Sequence, residues 1–389
     1  MAKVSLIGCR DYDAMAILRK MAEGFTHIGI DSEALQGKRV LIKPNLLNAT
    51  LPEKAIVTHP EFFRAAVRLV RSRGGRPVMA ESPAFQPLAK VMKKAGYDRV
   101  ADEEGCEVAD PRDTAVLFHE GGRSFKRFEI SKAFFDADVV INLPKLKTHG
   151  LTYLTGAVKN FFGLVYGLNK SQWHLRARSG EEFSGLVLDL YAALLQGSDR
   201  PKTFLHMMDA ITGLEGEGPG SSGKPKSVGV IIIGQDALAV DAVAVRLVNL
   251  DRRRVHTLML GQERKLGAAA LEDIQILGDR LDALEIHDYV PSKAAGNPSP
   301  VSRWPLNTEF FKNLLLERPV PSRDRCTLCY QCKAICPGGA IEISKGRELV
   351  PSYNYDRCIR CYCCMEICPE AAIRLKRGKL QWLFGSRAK

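Results

Sequence analysis

The sequence predicts an α/β domain with a mostly parallel sheet flanked by helices, followed by a small α+β domain. Three observations lead there. Short, nearly continuously apolar runs alternate with helical patterns through residues 1–290, as expected when strands are buried on both faces and covered by helices. Prolines then gather between 291 and 320 and break any regular pattern. Beyond them, eight of the nine cysteines between 326 and 368 repeat one spacing twice.

The strands expected in the first domain lie at residues 4–7, 40–42, 78–80, 139–143, 204–208 and 228–233, each rich in Val, Ile, Leu or Met. Helices are expected at 13–25, 60–71, 182–195 and 238–250. The second has Thr58 and His59 before it, Pro60 in its first turn and Gly74-Gly75 after it. Alternation of this kind implies right-handed crossovers. Residues 213–223, rich in glycine, read as a flexible loop at a strand end. Residues 291–320 read as a proline-rich linker with a short helical stretch near 309–316, residues 321–375 as the small domain, and 376–389 as a basic tail.

The cysteines run Cys326-x-x-Cys329-x-x-Cys332-x-x-x-Cys336-Pro337 and Cys358-x-x-Cys361-x-x-Cys364-x-x-x-Cys368-Pro369, an internal repeat offset by 32 residues. Ile335 pairs with Ile367, Ala340 with Ala372 and Ile341 with Ile373. A cubane cluster needs four soft thiolates converging on one point, three from a tight loop and the fourth from the other repeat. Cys326, Cys329, Cys332 and Cys368 are therefore assigned to one 4Fe–4S cluster, and Cys358, Cys361, Cys364 and Cys336 to a second. Zinc is the competing reading of paired CxxC motifs, but zinc ribbons lack the third cysteine and the Cys-Pro. A disulfide framework suits short secreted chains. Cys363 could replace Cys364 in a shifted register; the repeat favours Cys364. Cys9 and Cys106 are isolated. The run at 326–375 resembles the two-cluster bacterial ferredoxins, and the resemblance implies low-potential one-electron transfer; it does not say where the electrons go, and a soluble electron donor or acceptor protein is expected as the partner.

Net charge is +12, which invites a nucleic-acid reading. Residues 320–389 carry an excess of seven positive charges, and two oxidised clusters with their thiolates would bring about −2 each. The other basic residues are scattered, so no nucleic acid is expected as a partner. The end of the chain, Arg374 to Phe384, mixes basic and apolar residues that could touch an anionic membrane or a partner. No apolar stretch is long enough for a transmembrane segment, and the start does not read as a signal peptide. Free thiols and cluster ligands suit a reducing cytoplasm.

Polar groups follow several strands: Lys43-Pro44-Asn45, the run Lys145-Leu146-Lys147-Thr148-His149, Lys159-Asn160, Asp209 with Glu215, and Asp236 with Asp241. Parallel strands bring such groups to one edge. Lys43, Lys145, Lys147 and Lys159, with Asn45, Asn160 and His149, would then form a site for a small anionic substrate, and crowding would lower a lysine pKa. Asp209 and Glu215 would bind magnesium or orient the lysines. Taken singly, each lysine reads as solvated, and the glycines and prolines as turn chemistry. His174 beside Trp173 is a weaker candidate, and Asp241 suits a local cap. No GxGxxG, Walker or GxSxG motif occurs.

These phrases, with Gly156-Ala-Val-Lys-Asn-Phe-Phe-Gly163 and Glu215-Gly-Glu-Gly-Pro219, resemble the family catalogued as domain of unknown function three hundred and sixty-two, over about residues 38–265. Members of that family often carry a C-terminal two-cluster ferredoxin module. The resemblance strengthens the domain reading and gives no substrate. Three functions stay open. One is an oxidoreductase passing electrons from the clusters to a small anion held by Lys43, Lys145, Lys147 and Lys159, with His149 or a lysine supplying a proton. The others are an electron carrier or assembly factor whose α/β domain docks a partner, and a non-redox domain with structural clusters.

Overall fold

The computed structural model describes residues 1–31, 33–167, 170–177, 179–196, 200–294, 317–344 and 349–376. The helical stretch near 309–316 and nearly all of the basic tail lie outside the described residues.

Twelve strands belong to the first domain: β1 (Ala2–Gly8), β2 (Arg39–Pro44), β3 (Arg76–Met79), β4 (Glu107–Val108), β5 (Thr114–Phe118), β6 (Arg127–Ser131), β7 (Val139–Leu143), β8 (Lys145–His149), β9 (Tyr153–Thr155), β10 (Thr203–Gly216), β11 (Gly223–Gly234) and β12 (Ile274–Gly278). Ten form one sheet in the order β12-β1-β11-β10-β7-β2-β3-β4, with β8 paired to β10 and β9 to β8. Only β11 and β9 run against the rest. Strands β5 and β6 make a separate hairpin.

The continuous apolar runs are explained by two cores, one on each face. Val140, Leu41 and Ile232 enter one core, while their strand neighbours Val139, Ile141, Val40, Ile42, Ile231 and Ile233 enter the other. That is the two-residue period of a strand with both faces covered. Helices Ala14–Ile28 and Pro60–Ser72 fill one face, and helices Gly180–Gln196 and Ala237–Leu247 the other. Their starts are set locally. Asp13 accepts from Ala16 N, and Asp236 accepts from Leu238 N and Ala239 N, satisfying amides that a first helical turn leaves unpaired.

Two segments differ from expectation. Residues 213–216 are not loop: β10 continues to Gly216 and pairs with β11 from Gly223, leaving only the turn between them irregular. The run 145–149, read only as polar residues following the strand at 139–143, is itself strand β8. Pro144 cannot donate to a ladder; its carbonyl accepts from Asp209 N, and the chain then pairs with β10 beyond a register shift. Lys145, Lys147 and His149 thereby share one face of β8.

The small domain carries strands β13 (Arg318–Pro321), β14 (Ile341–Glu342), β15 (Ser352–Tyr353) and β16 (Ile373–Lys376), with short helices Gln331–Ile335 and Cys363–Ile367. Its first strand takes Pro319 from the expected linker, a position open to proline because, among the described residues, β13 pairs only with β16. The sequence repeat is also a backbone repeat. Left-handed residues fall at Leu328 and Arg360, at Tyr330 and Tyr362, and at Gly339 and Ala371. These are the turns that wind each cysteine loop inward.

Candidate functional site

Two cavities lie within the cysteine domain. One is lined by Cys326, Cys329, Cys332 and Cys368; the other by Cys336, Cys358, Cys361 and Cys364, with Cys363 beside them. Each combines three sulfurs from one loop with a fourth from the other repeat. The backbone N–H groups of Ala340 and Ala372 donate to Cys336 Sγ and Cys368 Sγ, at 3.3 Å in both cases. Burial pushes the Cys332 thiol up to about 11 and that of Cys364 well above its usual range. Thiolate character therefore depends on a bound cation that displaces the protons. Four converging soft donors with amides aimed at sulfur fit a 4Fe–4S group.

A third cavity, of about 100 Å³, lies between the α/β sheet and this domain. The sheet side supplies Asn45, Glu81, His149, Lys159, Asn160 and Lys170, and the cysteine domain supplies Ile335, Cys363 and Glu366. Of the residues singled out in the sequence, Asn45, His149, Lys159 and Asn160 reach this cavity. Lys43, Lys145, Lys147 and Asp209 are buried beside or behind it, and Glu215 is elsewhere.

The buried lysines are held in different ways. Lys43 pairs with Glu81 at 2.7 Å, and Glu81 also accepts from Leu46 N and Ser82 N. Lys145 pairs with Asp209 at 2.8 Å and donates to Tyr12 Oη. Asp209 in turn accepts from Tyr12 Oη, His59 N and Ile211 N. Burial lowers both amines, opposed by the carboxylates. Lys147 has no acid partner among the described residues: it donates to Asn45 Oδ1 and Ile56 O, both at 2.7 Å. Burial, reinforced by Lys159, lowers it well below the usual lysine range. A neutral amine satisfies both acceptors and keeps its lone pair.

Asn45, Asn160 and Asn142 form a chain behind Lys147. Asn45 Nδ2 donates to Asn160 Oδ1, and Asn160 Nδ2 to Asn142 Oδ1 and to the Lys43 carbonyl. The two glycines of the 156–163 phrase have distinct duties. A Cβ on Gly156 would sit 2.1 Å from Asp241 Oδ1, and one on Gly163 would sit 2.3 Å from Glu81 Oε1 and 2.4 Å from Lys43 Nζ. Asp241, expected as a local cap, receives the N–H groups of Ala157 and Val158 across 84 and 83 residues. Gly156 leaves room for that cap, and Gly163 for the Lys43–Glu81 pair.

At the cavity itself, His149 Nδ1 accepts from Leu151 N at 3.0 Å, so the ring proton sits on Nε2. Nε2 faces Glu366 Oε1 at 3.4 Å. Burial, with Lys159 and Lys147 nearby, keeps this imidazole neutral. Lys159 Nζ has no hydrogen-bond partner among the described residues; it lies 5.9 Å from the Phe183 ring centroid. Its pKa is lowered by burial, against the pull of Glu366. Helix Lys170–Arg176 adds Lys170, brought down to about 7 by burial, and His174, stacked on Phe183 with centroids 4.4 Å apart.

The magnesium expectation for Asp209 and Glu215 needs correction. They stand six positions apart on β10, roughly 20 Å along an extended strand, and both are engaged. Asp209 has the partners above, and Glu215 accepts from Val290 N. Sequence reasoning missed Tyr12, Glu81, Lys170 and Glu366. Glu81 follows β3 as the other site residues follow their strands, so the same rule could have found it. Glu366 is a break in the repeat, since its counterpart is Ala334.

This architecture defines an α/β protein with a C-terminal iron–sulfur module of the kind that carries electrons. Residues 40–246 match the family described as "Domain of unknown function (DUF362)", and residues 318–369 match the "4Fe-4S dicluster domain"; the chain belongs to the first of these families. It is similar to the thylakoid-associated protein sll1697 of Synechocystis sp. (strain ATCC 27184 / PCC 6803 / Kazusa), with 35% identity over 271 residues, 67% of this chain and 78% of that protein. Among solved structures it is similar to a Thermotoga maritima protein, with TM-score 0.36, 12% identity and 59% of this chain covered. The lactate racemase apoprotein from Thermoanaerobacterium thermosaccharolyticum gives TM-score 0.36, 15% identity and 61% coverage. The chain spans 57% and 55% of those two chains. No described helix is long and apolar enough to cross a membrane.

Proposed function

We propose that the chain is an oxidoreductase of the cytoplasm that exchanges electrons with a soluble protein and acts on a small anion in the cavity beside Lys159. The observation that carries this reading is a shared wall: Cys363 lines both that cavity and the second four-cysteine cage. Cys326, Cys329, Cys332 and Cys368 would hold one 4Fe–4S cluster, and Cys336, Cys358, Cys361 and Cys364 another. When bound, such clusters supply electrons one at a time at low potential. Cys329 of the first cage is exposed, and Cys363 beside the second lines the cavity, which supports a partner docking at the first cage and the anion sitting beside the second.

The chain's own residues do the rest. Lys159 is an amine without a hydrogen-bond partner among the described residues, and an arriving anion favours its charged form. Lys170 adds a second amine. His149, its ring fixed by the Leu151 amide, presents an Nε2–H that can be given to a ligand gaining negative charge. Asn45 and Asn160 hold the floor. Lys43 and Lys145, offered by the sequence as substrate contacts, are consumed by Glu81 and Asp209 and serve as framework.

Lys159→Met tests this in full-length protein reconstituted without oxygen. The variant should lose binding of acetate and phosphate by calorimetry while its iron content and visible spectrum stay unchanged. Binding equal to that of the parent removes the reading. A pure electron carrier would bind neither anion and would reduce its partner equally well with or without Lys159.

A further inference from the structure

Three polar atoms at the lysine cavity are buried and have no hydrogen-bond partner among the described residues: Thr155 Oγ1, His174 Nδ1 and Glu366 Oε1, the last standing 3.4 Å from His149 Nε2 without a hydrogen bond between them. Thr155 is 3% exposed and His174 is 7% exposed. Buried polar atoms are nearly always paired, so three around one small space point to a ligand that pairs them. Their chemistry narrows its class. Lys159 Nζ and the Nε2–H of His149 are donors and call for an anionic acceptor. Glu366 Oε1, as a carboxylate oxygen, calls for a donor. One molecule meeting both needs carries an acid group and an N–H or O–H close together.

Charge chooses between those donors. Lys159 and Lys170 line the space with Glu81 and Glu366, and Glu81 is already taken by Lys43 from behind, which leaves two amines against one acid. An ammonium would add a cation to a set already rich in amines, whereas a hydroxyl adds none. Glu366 itself is a deliberate departure from the cysteine repeat. The equivalent position of the first loop is Ala334, and Glu366 lines the lysine cavity rather than either four-cysteine cage.

Resting on the anion-site reading above, we propose that the cavity receives a short hydroxycarboxylate. Its carboxylate lies at Lys159, and its hydroxyl donates to Glu366 Oε1. The cysteine module then supplies a specificity residue as well as the electron path. A site built to accept a substrate hydroxyl discriminates strongly against analogues that lack it.

The test is calorimetry of the full-length, iron-loaded protein with acetate, glycolate, propionate and glycine. Glycolate should bind at least about tenfold more tightly than the other three, the size of effect expected for one hydrogen bond to a charged group. Glu366→Ala should reduce glycolate to the affinity of acetate, leave acetate within about twofold, and leave the iron content and visible spectrum unchanged. Equal binding of acetate and glycolate by the parent overturns the proposal, as does a glycolate preference that survives in Glu366→Ala. The parent comparison stands alone if that variant does not fold. Binding of all four without preference leaves the anion site intact and removes only the hydroxyl assignment; binding of none removes both.

Discussion

Lys145 and Asp209 offer the sharpest check on how the interior is built. Their side chains are 1% and 0% exposed and meet at 2.8 Å. The two partners are not equally dependent on each other. Without Lys145, Asp209 keeps the Tyr12 hydroxyl and the amides of His59 and Ile211. Without Asp209, Lys145 keeps only the Tyr12 oxygen. Asp209→Leu should therefore cost about 3–5 kcal/mol, the penalty for stranding a buried charge. Lys145→Met, which retains most of the methylene packing, should cost about 1–3 kcal/mol. The double variant replaces a buried pair with apolar groups and should cost clearly less than the two singles together. Urea unfolding of the full-length protein without oxygen, followed by far-ultraviolet circular dichroism, gives the midpoints; the transition of the α/β domain is the one to compare. Additive single costs, or a Lys145→Met variant that costs more than Asp209→Leu, would refute the reasoning. So would a fully stable Lys145→Met protein that has lost anion binding, because Lys145 would then be a ligand contact rather than framework.

Gly163→Ala should destabilise by about 1–3 kcal/mol through overpacking against Lys43 and Glu81; an unchanged urea midpoint would contradict this. Cys364→Ala should lose about half of the eight irons expected for two cubanes, while Cys363→Ala keeps them all; iron analysis of reconstituted protein decides. His174 and His206 are held neutral by burial, both lowered from 6.5 to about 3. Between those values the unfolded chain binds more protons than the folded one, so stability is complete above 6.5 and falls as pH drops toward 3. Each histidine contributes up to about 1.4 kcal/mol per pH unit. Thermal midpoints that stay flat from pH 6.5 to 5, or an equally steep decline in His174→Phe, would contradict this.

The parts of the molecule that rest on local rules were legible in the chain. Residues 139–143 and 228–233 read as doubly buried strands because every position is apolar or shielded, and the two cores explain why no alternation shows. The cysteine loops were legible because ligand spacing is nearly covalent in its demands. Strand β8 was not, because Lys145-Leu146-Lys147-Thr148-His149 looks solvated until Asp209, Asn45 and Ile56 arrive from distant segments. For the same reason nothing in the sequence separated Lys145 from Lys159. Both follow strands, and only one finds a carboxylate waiting. Residues 213–216 misled through glycine content, which here accompanies a long hairpin. The repeat drew attention to positions that match, and so hid Glu366, which does not.

The chamber beside Lys159 has one face on loan. Ile335, Cys363 and Glu366 belong to the cysteine module, not to the sheet. On the proposed reading, stripping iron from the loops would loosen the reactant's enclosure along with the wiring, so a metal-free copy would not sequester what it had no means to convert.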